Sequence, residues 1–249
     1  MSYERTAVIT GASRGIGLAL AREFHARSFR VFGVARTPIA EDAVDTWIGA
    51  DITTEEGQGQ ILEAIGGADA RLDVLINNAG RGIQETWAVM SEEDLRAVME
   101  LNFFAPVALT RRLLPNLGAS EGTVINVSSV AGKVGLACMG GYCASKFALS
   151  AFSESLRAEV QPDGIGVLNL VVGRIGTDFG RHVLGTKSAP TTRGVASADR
   201  LARIAFRAYR RDRGEIIFPA WYRPAICFAK LFPKTFARKC RQAWGLPKS

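Results

Sequence analysis

The amino-acid sequence predicts a single α/β domain of Rossmann-like form, in which helices cover both faces of a doubly wound parallel sheet. Two observations support this prediction: short β-branched runs alternate with longer helix-like stretches, and the short runs are almost continuously apolar. Strands of parallel sheets show this pattern because helices bury both of their faces. A length of 249 residues allows one continuous core, and we expect residues 1–222 to form this domain.

Strands are predicted, in order, at residues 6–10, 30–35, 47–48, 72–76, 122–127 and 166–172, with a last strand from residue 216. The clearest helical patterns between them cover residues 17–27, 91–117 and 142–160. Neither an internal repeat nor a low-complexity linker divides the chain, which favours one domain.

The amino-acid composition is typical of a soluble globular protein. The chain is 47% hydrophobic and 22% charged, as in soluble globular proteins. We expect no secretory signal and no membrane span, since no apolar run approaches about 18 residues. Four scattered cysteines and two histidines predict neither a disulfide framework nor a metal site. A cytoplasmic protein is the expectation.

The net charge of +7 is unevenly distributed. Residues 200–249 hold 13 Lys and Arg against 2 acids, a charge of +11, which leaves −4 for the rest of the chain. No nucleic-acid-binding motif accompanies this basic tail, so we expect no nucleic-acid partner.

The first predicted strand runs into a glycine-rich loop, Thr10-Gly-Ala-Ser-Arg-Gly-Ile-Gly17, that leads into a helix. Glycines in this position permit a tight turn and let backbone N–H groups approach a pyrophosphate at the helix N-terminus. Glycine clusters also occur in ordinary turns, but the place of this one between strand and helix favours a dinucleotide site. The expected cofactor contacts here are Gly11, Ser13, Arg14, Gly15, Ile16 and Gly17.

The second predicted strand ends at Ala35-Arg36. Folds that prefer NAD place an acid near this position to bind the ribose 2′-hydroxyl. Arg36, together with Arg14, suits a 2′-phosphate instead, although both could be ordinary surface arginines. The sequence therefore predicts NADP(H).

Tyr142 and Lys146 lie four residues apart on a predicted helix, hence on one face. A nearby ammonium stabilises a phenolate, so we expect a lowered tyrosine pKa. Ser129 ends a predicted strand, where its hydroxyl could hold a substrate carbonyl oxygen. Taken alone, the Tyr/Lys pair could equally be a helix surface pair.

Over residues 5–220 the chain resembles the short-chain dehydrogenases/reductases. Thr10–Gly17 is similar to the family's cofactor loop, Asn77-Asn-Ala-Gly80 to its NNAG motif and Asp51-Ile52 to the pair at the adenine ring. Asn102 stands where the family has its helix asparagine, and Ser129 lies 13 residues before Tyr142 at the family's spacing. The family's usual PGxxxT is replaced here by Val172-Gly-Arg-Ile-Gly-Thr177, with Val172 where the family has proline.

The resemblance implies roles for these residues. Tyr142 would protonate the carbonyl oxygen in reduction, Ser129 would orient the substrate, Lys146 would bind the nicotinamide ribose and tune Tyr142, and Asn102 would support a proton relay through Lys146. The nicotinamide would carry the hydride. Further implied cofactor contacts, beside Tyr142 and Lys146, are Asp51, Ile52, Asn78, Ala79, Gly80, Gly173, Ile175 and Thr177. The resemblance also implies a homodimer or homotetramer.

Two segments are expected to lie outside the cofactor site. A substrate loop at about residues 178–198 and nearby apolar side chains such as Trp87 and Met139 predict an apolar carbonyl substrate. Residues 223–249 form a basic, aromatic, amphipathic extension that Pro233 should break into two short helices. Such a stretch can lie on an anionic membrane, but the sequence favours packing against protein, the commoner fate of an apolar stripe.

The sequence thus predicts an NADP(H)-dependent oxidoreductase acting on a carbonyl/alcohol pair. The alternative is a non-catalytic, NADP-binding redox sensor on the same fold. Joint presence of Asn102, Ser129, Tyr142 and Lys146 disfavours the alternative, because a sensor needs the loop but not the four polar groups. An epimerase is disfavoured because little chain remains after Thr177 for a separate substrate domain.

Overall fold

The computed structural model describes residues 5–190 and 194–247. Residues 1–4, residues 191–193 of the predicted substrate loop, and residues 248–249 of the predicted extension lie outside this description. The described chain forms one seven-stranded sheet in the order β3-β2-β1-β4-β5-β6-β7, with every neighbouring pair parallel. The strands are β1 (Arg5–Thr10), β2 (Phe29–Val34), β3 (Thr46–Ile48), β4 (Val74–Asn77), β5 (Thr123–Ser129), β6 (Gly166–Val172) and β7 (Glu215–Phe218).

Helices cover both faces of this sheet, which confirms the predicted fold class. They are α1 (Gly15–His25), α2 (Glu55–Ala64), α3 (Glu92–Met99), α4 (Ala105–Gly118), α5 (Gly140–Val160), α6 (Ala198–Tyr209), α7 (Tyr222–Leu231) and α8 (Pro233–Ala243). Helices α1 and α6 pack on one face, and α2, α4 and α5 on the other. No helix within residues 5–190 and 194–247 is both long and apolar enough to traverse a bilayer.

Successive side chains of β1 enter opposite cores, which is why residues 7–9 at its centre are all apolar. Ala7 and Ile9 enter the core beneath α1 and α6, whereas Val8 enters the core beneath α4, and all three are fully buried. Aromatic rings fill the first core: the ring centroid of Phe24 lies 5.2 Å from those of both Phe29 and Phe206. Edge-on aromatic contacts of this kind stabilise a core beyond the area they bury.

The helix predicted over residues 91–117 is not continuous. A π-helical segment, Glu100–Phe104, separates α3 from α4. A π segment widens one turn of the helix and often occurs at functional sites. Here it carries Asn102, whose buried side chain is bonded to backbone groups of Arg81.

Several element boundaries also differ from the prediction. Helix α1 begins at Gly15, because the glycine loop itself supplies the first turn. Strand β7 ends at Phe218, where Pro219 removes the next backbone donor. The predicted break at Pro233 is confirmed, since α7 ends at Leu231 and α8 begins at Pro233.

Candidate active site

The sequence motifs converge at the carboxyl ends of the central strands. The glycine loop follows β1, Asn78–Gly80 follow β4, Ser129 ends β5 and Gly173–Thr177 follow β6. Strand β1 lies where the strand order reverses direction, with β2 on one side and β4 on the other. Ligands of open α/β sheets bind at such a switch point.

The glycine loop requires its glycines. Gly11 and Gly15 have φ angles of 66° and 57°, in the left-handed region that favours glycine. A Cβ atom on Gly17 would lie 2.1 Å from the carbonyl oxygen of Gly11. The loop therefore turns tightly enough to bring its backbone and the start of α1 to the sheet edge.

Asn78 and Thr10 hold this loop in place. The Asn78 side-chain amide donates to the carbonyl oxygens of Thr10 and Gly11 at 2.9 and 3.1 Å. The Thr10 hydroxyl accepts from the backbone N–H groups of Asn78 and Ala79 at 3.0 and 3.1 Å. The side chain of Asn78 thus positions the loop, a structural task that the resemblance did not indicate.

The N-terminus of α1 suits an anion. Its N-cap residue, Arg14, makes no side-chain capping bond, and its first turn has no acid. Helices α2, α3 and α6 instead have Thr54, Ser91 and Ser197 as capping side chains and carry acids in the first turn. The first N–H groups and the dipole of α1 are therefore free of internal anionic competition, which fits the pyrophosphate of a dinucleotide.

Arg36 and Asp51 follow neighbouring strands at the same edge. Their side chains form an ion pair 3.8 Å apart, and 69% of the Arg36 side chain is exposed. Burial raises the pKa of the Asp51 carboxyl, but hydrogen bonds from Thr53 and the charge of Arg36 outweigh it and leave the pKa below its usual value. Such an exposed pair is weak, so Arg36 can turn to another anion. Ile52 is buried next to Asp51.

Tyr142 lies in the first turn of α5 and is buried, with 8% of its surface exposed. Burial raises the pKa of its phenol to about 12, although a hydrogen bond with the Ser129 side chain acts in the opposite direction. The expectation of a lowered pKa is therefore wrong for the protein alone, because desolvation of the phenolate outweighs its stabilisation. The protonated phenol is the form present at neutral pH.

Lys146 faces the same ring from one turn further along α5. Its Nζ atom lies 6.0 Å from the ring centroid of Tyr142 and donates to the carbonyl oxygen of Val127 at 2.9 Å. Burial lowers the pKa of this ammonium to about 8. Lys146 is thus a buried cation that gives up its proton more readily than an ordinary lysine.

Asn102 and Gly80 link the segment that follows β4 to helix α5. The Asn102 amide donates to the carbonyl oxygen of Arg81 at 2.8 Å and to the Ser145 hydroxyl at 2.9 Å, and its Oδ1 accepts from the Arg81 N–H at 2.8 Å. A Cβ on Gly80 would lie 3.0 Å from Asn102 Oδ1 and 3.6 Å from Lys146 Nζ. Sequence reasoning missed Ser145, although its place three residues after Tyr142 could have indicated it.

The turn after β6 has a definite path despite its missing proline. Val172 remains in the strand, and the N–H of Gly173 donates to the carbonyl oxygen of Phe218 at 2.8 Å. The ring of Tyr222, at the start of α7, lies where a Gly173 side chain would be. Ile175 then pairs with Ala196 in a short parallel bridge.

Thr177 marks the start of a segment that lies against Tyr142. Its hydroxyl accepts from the N–H of Phe179 at 3.4 Å, at the start of the 3-10 turn Asp178–His182. The ring centroid of Phe179 lies 6.0 Å from that of Tyr142. Leu184 and Val183 follow against Ile83 and Gly82. This segment therefore places the apolar side chains of Phe179 and Leu184 close to Tyr142.

Glu85 holds this segment in place by hydrogen bonds with Thr186. The sequence did not predict this contact. The Oε2 atom of Glu85 accepts from the N–H and the hydroxyl of Thr186 at 3.0 and 2.6 Å. The two residues are 101 positions apart in the sequence, so no local pattern could have indicated the contact.

Similarity to known proteins shows the family of this chain. The family model described as short chain dehydrogenase matches residues 5–187. The chain belongs to the short-chain dehydrogenase family. Among relatives, it is 36% identical over 173 residues to a 3-ketodihydrosphingosine reductase of Bacteroides thetaiotaomicron, covering 69% of this chain and 64% of that protein.

Two further similar proteins are named with NADPH. The chain is 32% identical over 192 residues to an NADPH-dependent 1-acyldihydroxyacetone phosphate reductase of Schizosaccharomyces pombe, covering 75% of this chain and 65% of the relative. A short-chain dehydrogenase of Sphingobium yanoikuyae in complex with NADPH superposes with a TM-score of 0.77 at 27% identity, covering 93% of this chain and 95% of the other. The matches thus span slightly less than two thirds of these two curated relatives.

Proposed function

We propose that this protein is an NADP(H)-dependent oxidoreductase that transfers hydride between nicotinamide and a carbonyl/alcohol pair, and that it reduces apolar ketones or aldehydes. The observation that carries the proposal is the cluster of buried Tyr142 and Lys146 with Ser129, at the same edge of the sheet as the uncapped N-terminus of α1. One relative is named as a reductase of a 3-keto compound and another as an NADPH-dependent reductase.

The preference for NADP(H) rests on charge at the ends of β1 and β2. Arg14 and Arg36 are exposed, and no acid follows β2 directly. Two guanidinium groups can hold a 2′-phosphate with charge-assisted hydrogen bonds. The acid nearest to Arg36 in the structure, Asp51, is already bonded to Thr53.

The catalytic step proposed for these residues is a proton transfer, and a bound nicotinamide would supply the hydride. The Tyr142 phenol, protonated at neutral pH, donates its proton to the carbonyl oxygen, and the Ser129 hydroxyl holds that oxygen beside the phenol. Lys146, with a pKa of about 8, remains largely cationic at neutral pH and stabilises the phenolate left behind. Asn102 holds the backbone of Arg81 in place beside Lys146. The proton lost by Tyr142 is replaced through Lys146.

The proposed substrate class follows from the segment that begins at Thr177. Phe179 lies against Tyr142, and Val183 packs beside it over Gly82. An apolar group next to the carbonyl would displace water from these side chains, which favours its binding. Charged carbonyl compounds would gain nothing from them.

Substitution of Tyr142 by Phe tests the proposal with NADPH and a panel of apolar ketones and aldehydes. We expect turnover to fall at least about a hundredfold, because proton donation to the carbonyl oxygen is lost, while NADPH still binds. Tyr209→Phe removes a phenol from the core between α1 and α6 and should leave turnover intact. Unchanged turnover in Tyr142→Phe would refute the role of this phenol. NADPH binding without turnover of any carbonyl by the unmodified protein would favour the redox-sensor alternative.

A further inference from the structure

Helix α7 is apolar on two opposite sides. Its inner side packs into the protein through Ile226 and Ala229, each only 7% exposed. Its outer side carries Pro224, Cys227 and Leu231, at helical spacings of three and four residues, and all three are exposed. Leu231 is 73% exposed. Because water normally faces the polar side of a surface helix, the outer side of α7 is suited to a partner.

Aromatic rings extend this outer side towards α8. Phe232, at the junction of the two helices, is 55% exposed, and its ring centroid lies 5.4 Å from that of Phe228. The Nζ atom of Lys239, on α8, lies 5.4 Å from the centroid of Phe228. We define the docking face as the outer side of α7, Phe228, Phe232 and the exposed cations around them.

The docking face is entirely cationic in its charged groups. Residues 216–249 contain seven Lys and Arg and neither Asp nor Glu. Arg223 and Lys230 lie on α7, and Lys234, Arg238 and Lys239 on α8, all exposed. Within residues 5–190 and 194–247, none of these five forms an ion pair with an acid of the chain. Their charge is available to an external anion.

The cations and the exposed apolar side chains together indicate which class of partner fits the docking face. A second copy docked through the same face would bring like charges together, with no acid to offset them. Nucleic acid would use the cations and the rings, but it offers no burial to aliphatic Leu231 or Pro224. A bilayer with anionic headgroups satisfies both features, since acyl chains bury the apolar groups and phosphates meet the cations. We propose that α7 and α8 dock this protein on an anionic membrane surface.

Sedimentation with lipid vesicles tests the docking face on the full chain. We expect binding to phosphatidylcholine vesicles that contain phosphatidylglycerol, weaker binding to phosphatidylcholine alone, and release by salt. Exchange of Lys230, Lys234 and Arg238 for Gln should weaken binding about a hundredfold, since each cation near the surface contributes about fivefold. Leu231→Ser combined with Phe232→Ser should weaken it more than about tenfold through lost apolar burial.

A matched control removes the same charge elsewhere. Arg203, Arg207 and Arg210 are exposed on or just after α6. Helix α6 packs on one face of the sheet, whereas the β6 residue that contacts α7, Val171, points to the other face. Their exchange for Gln should weaken binding far less than the exchange on α7 and α8. Thermal unfolding and turnover without vesicles should remain unchanged in the Leu231/Phe232 variant, because both side chains are exposed and neither belongs to the candidate active site.

Four results would overturn the proposal: no binding of the unmodified protein to phosphatidylglycerol vesicles, equal weakening by the α6 exchange, full binding by the Leu231/Phe232 variant, or binding of single-stranded nucleic acid in preference to vesicles. If light scattering shows that the Leu231/Phe232 variant loses self-association but still binds vesicles, the face is instead assigned to a second copy. The Tyr142→Phe variant should bind vesicles normally, so this test does not depend on the proposed catalysis.

Discussion

Replacement of Asn102 by Ala should both destabilise the protein and slow its proposed reaction. The side chain is fully buried and makes three hydrogen bonds, two to the backbone of Arg81 and one to Ser145. Each lost bond costs about 1 kcal/mol, and partners left unpaired add to this, so the expected loss is roughly 3 to 5 kcal/mol. A domain with about 5 to 15 kcal/mol of stability can remain folded after such a loss.

Asn116 provides a matched control for this prediction. It is 1% exposed, and its amide donates to the carbonyl oxygens of Gly67, Ala68 and Ala70 at 2.9, 3.2 and 2.7 Å. It lies near the far end of α4, away from Lys146. Asn116→Ala should therefore cost a similar free energy of unfolding without a change in the reaction.

Urea unfolding followed by tryptophan fluorescence, together with turnover measured well below the unfolding transition, separates the two effects. We expect both variants to unfold at lower urea and only Asn102→Ala to lose turnover, by at least about tenfold. The reasoning is refuted if Asn102→Ala unfolds at the same urea concentration as the unmodified protein, or if Asn116→Ala loses turnover equally.

Two further predictions concern Lys146 and the glycine loop. Because burial places the pKa of Lys146 at about 8, against an ordinary value near 10.4, the unfolded chain binds more protons between these values. The free energy of unfolding should therefore rise with pH across that window. Lys146→Met should remove this rise in urea titrations, and an unchanged pH slope would contradict the assignment. Gly17→Ala would place a Cβ 2.1 Å from a loop carbonyl oxygen, so NADPH affinity and melting temperature should both fall. Gly118→Ala, with nothing within 4 Å of its added Cβ, should be neutral or slightly stabilising by up to about 1 kcal/mol; equal effects of the two changes would refute the packing argument.

The strands and the central motifs were predictable because their signals are local. β1, β5 and β6 are buried on both faces over most of their length, so each appears in the sequence as a mainly apolar run. The glycine loop is equally visible, since its backbone conformation demands glycine at defined positions. Helix α2 was less visible, because its sequence is polar and contains two glycines.

Features that depend on distant contacts could not be predicted. The π segment contains Asn102, whose side chain is hydrogen-bonded to Arg81, 21 residues away in the sequence. The raised pKa of Tyr142 depends on burial by surrounding elements, which the spacing of Tyr142 and Lys146 does not reveal. The apolar outer side of α7 became distinct only when the structure showed which side faces the core.

A fluorescence titration with NADPH and NADH tests the central claim most directly. We predict that NADPH binds about 10 to 100 times more tightly, because hydrogen bonds between charged groups contribute about 1.5 to 3 kcal/mol. Arg36→Ala should remove most of this difference and leave NADH binding unchanged. Equal or tighter binding of NADH would contradict the proposed cofactor, and binding of neither nucleotide would contradict the proposed enzyme.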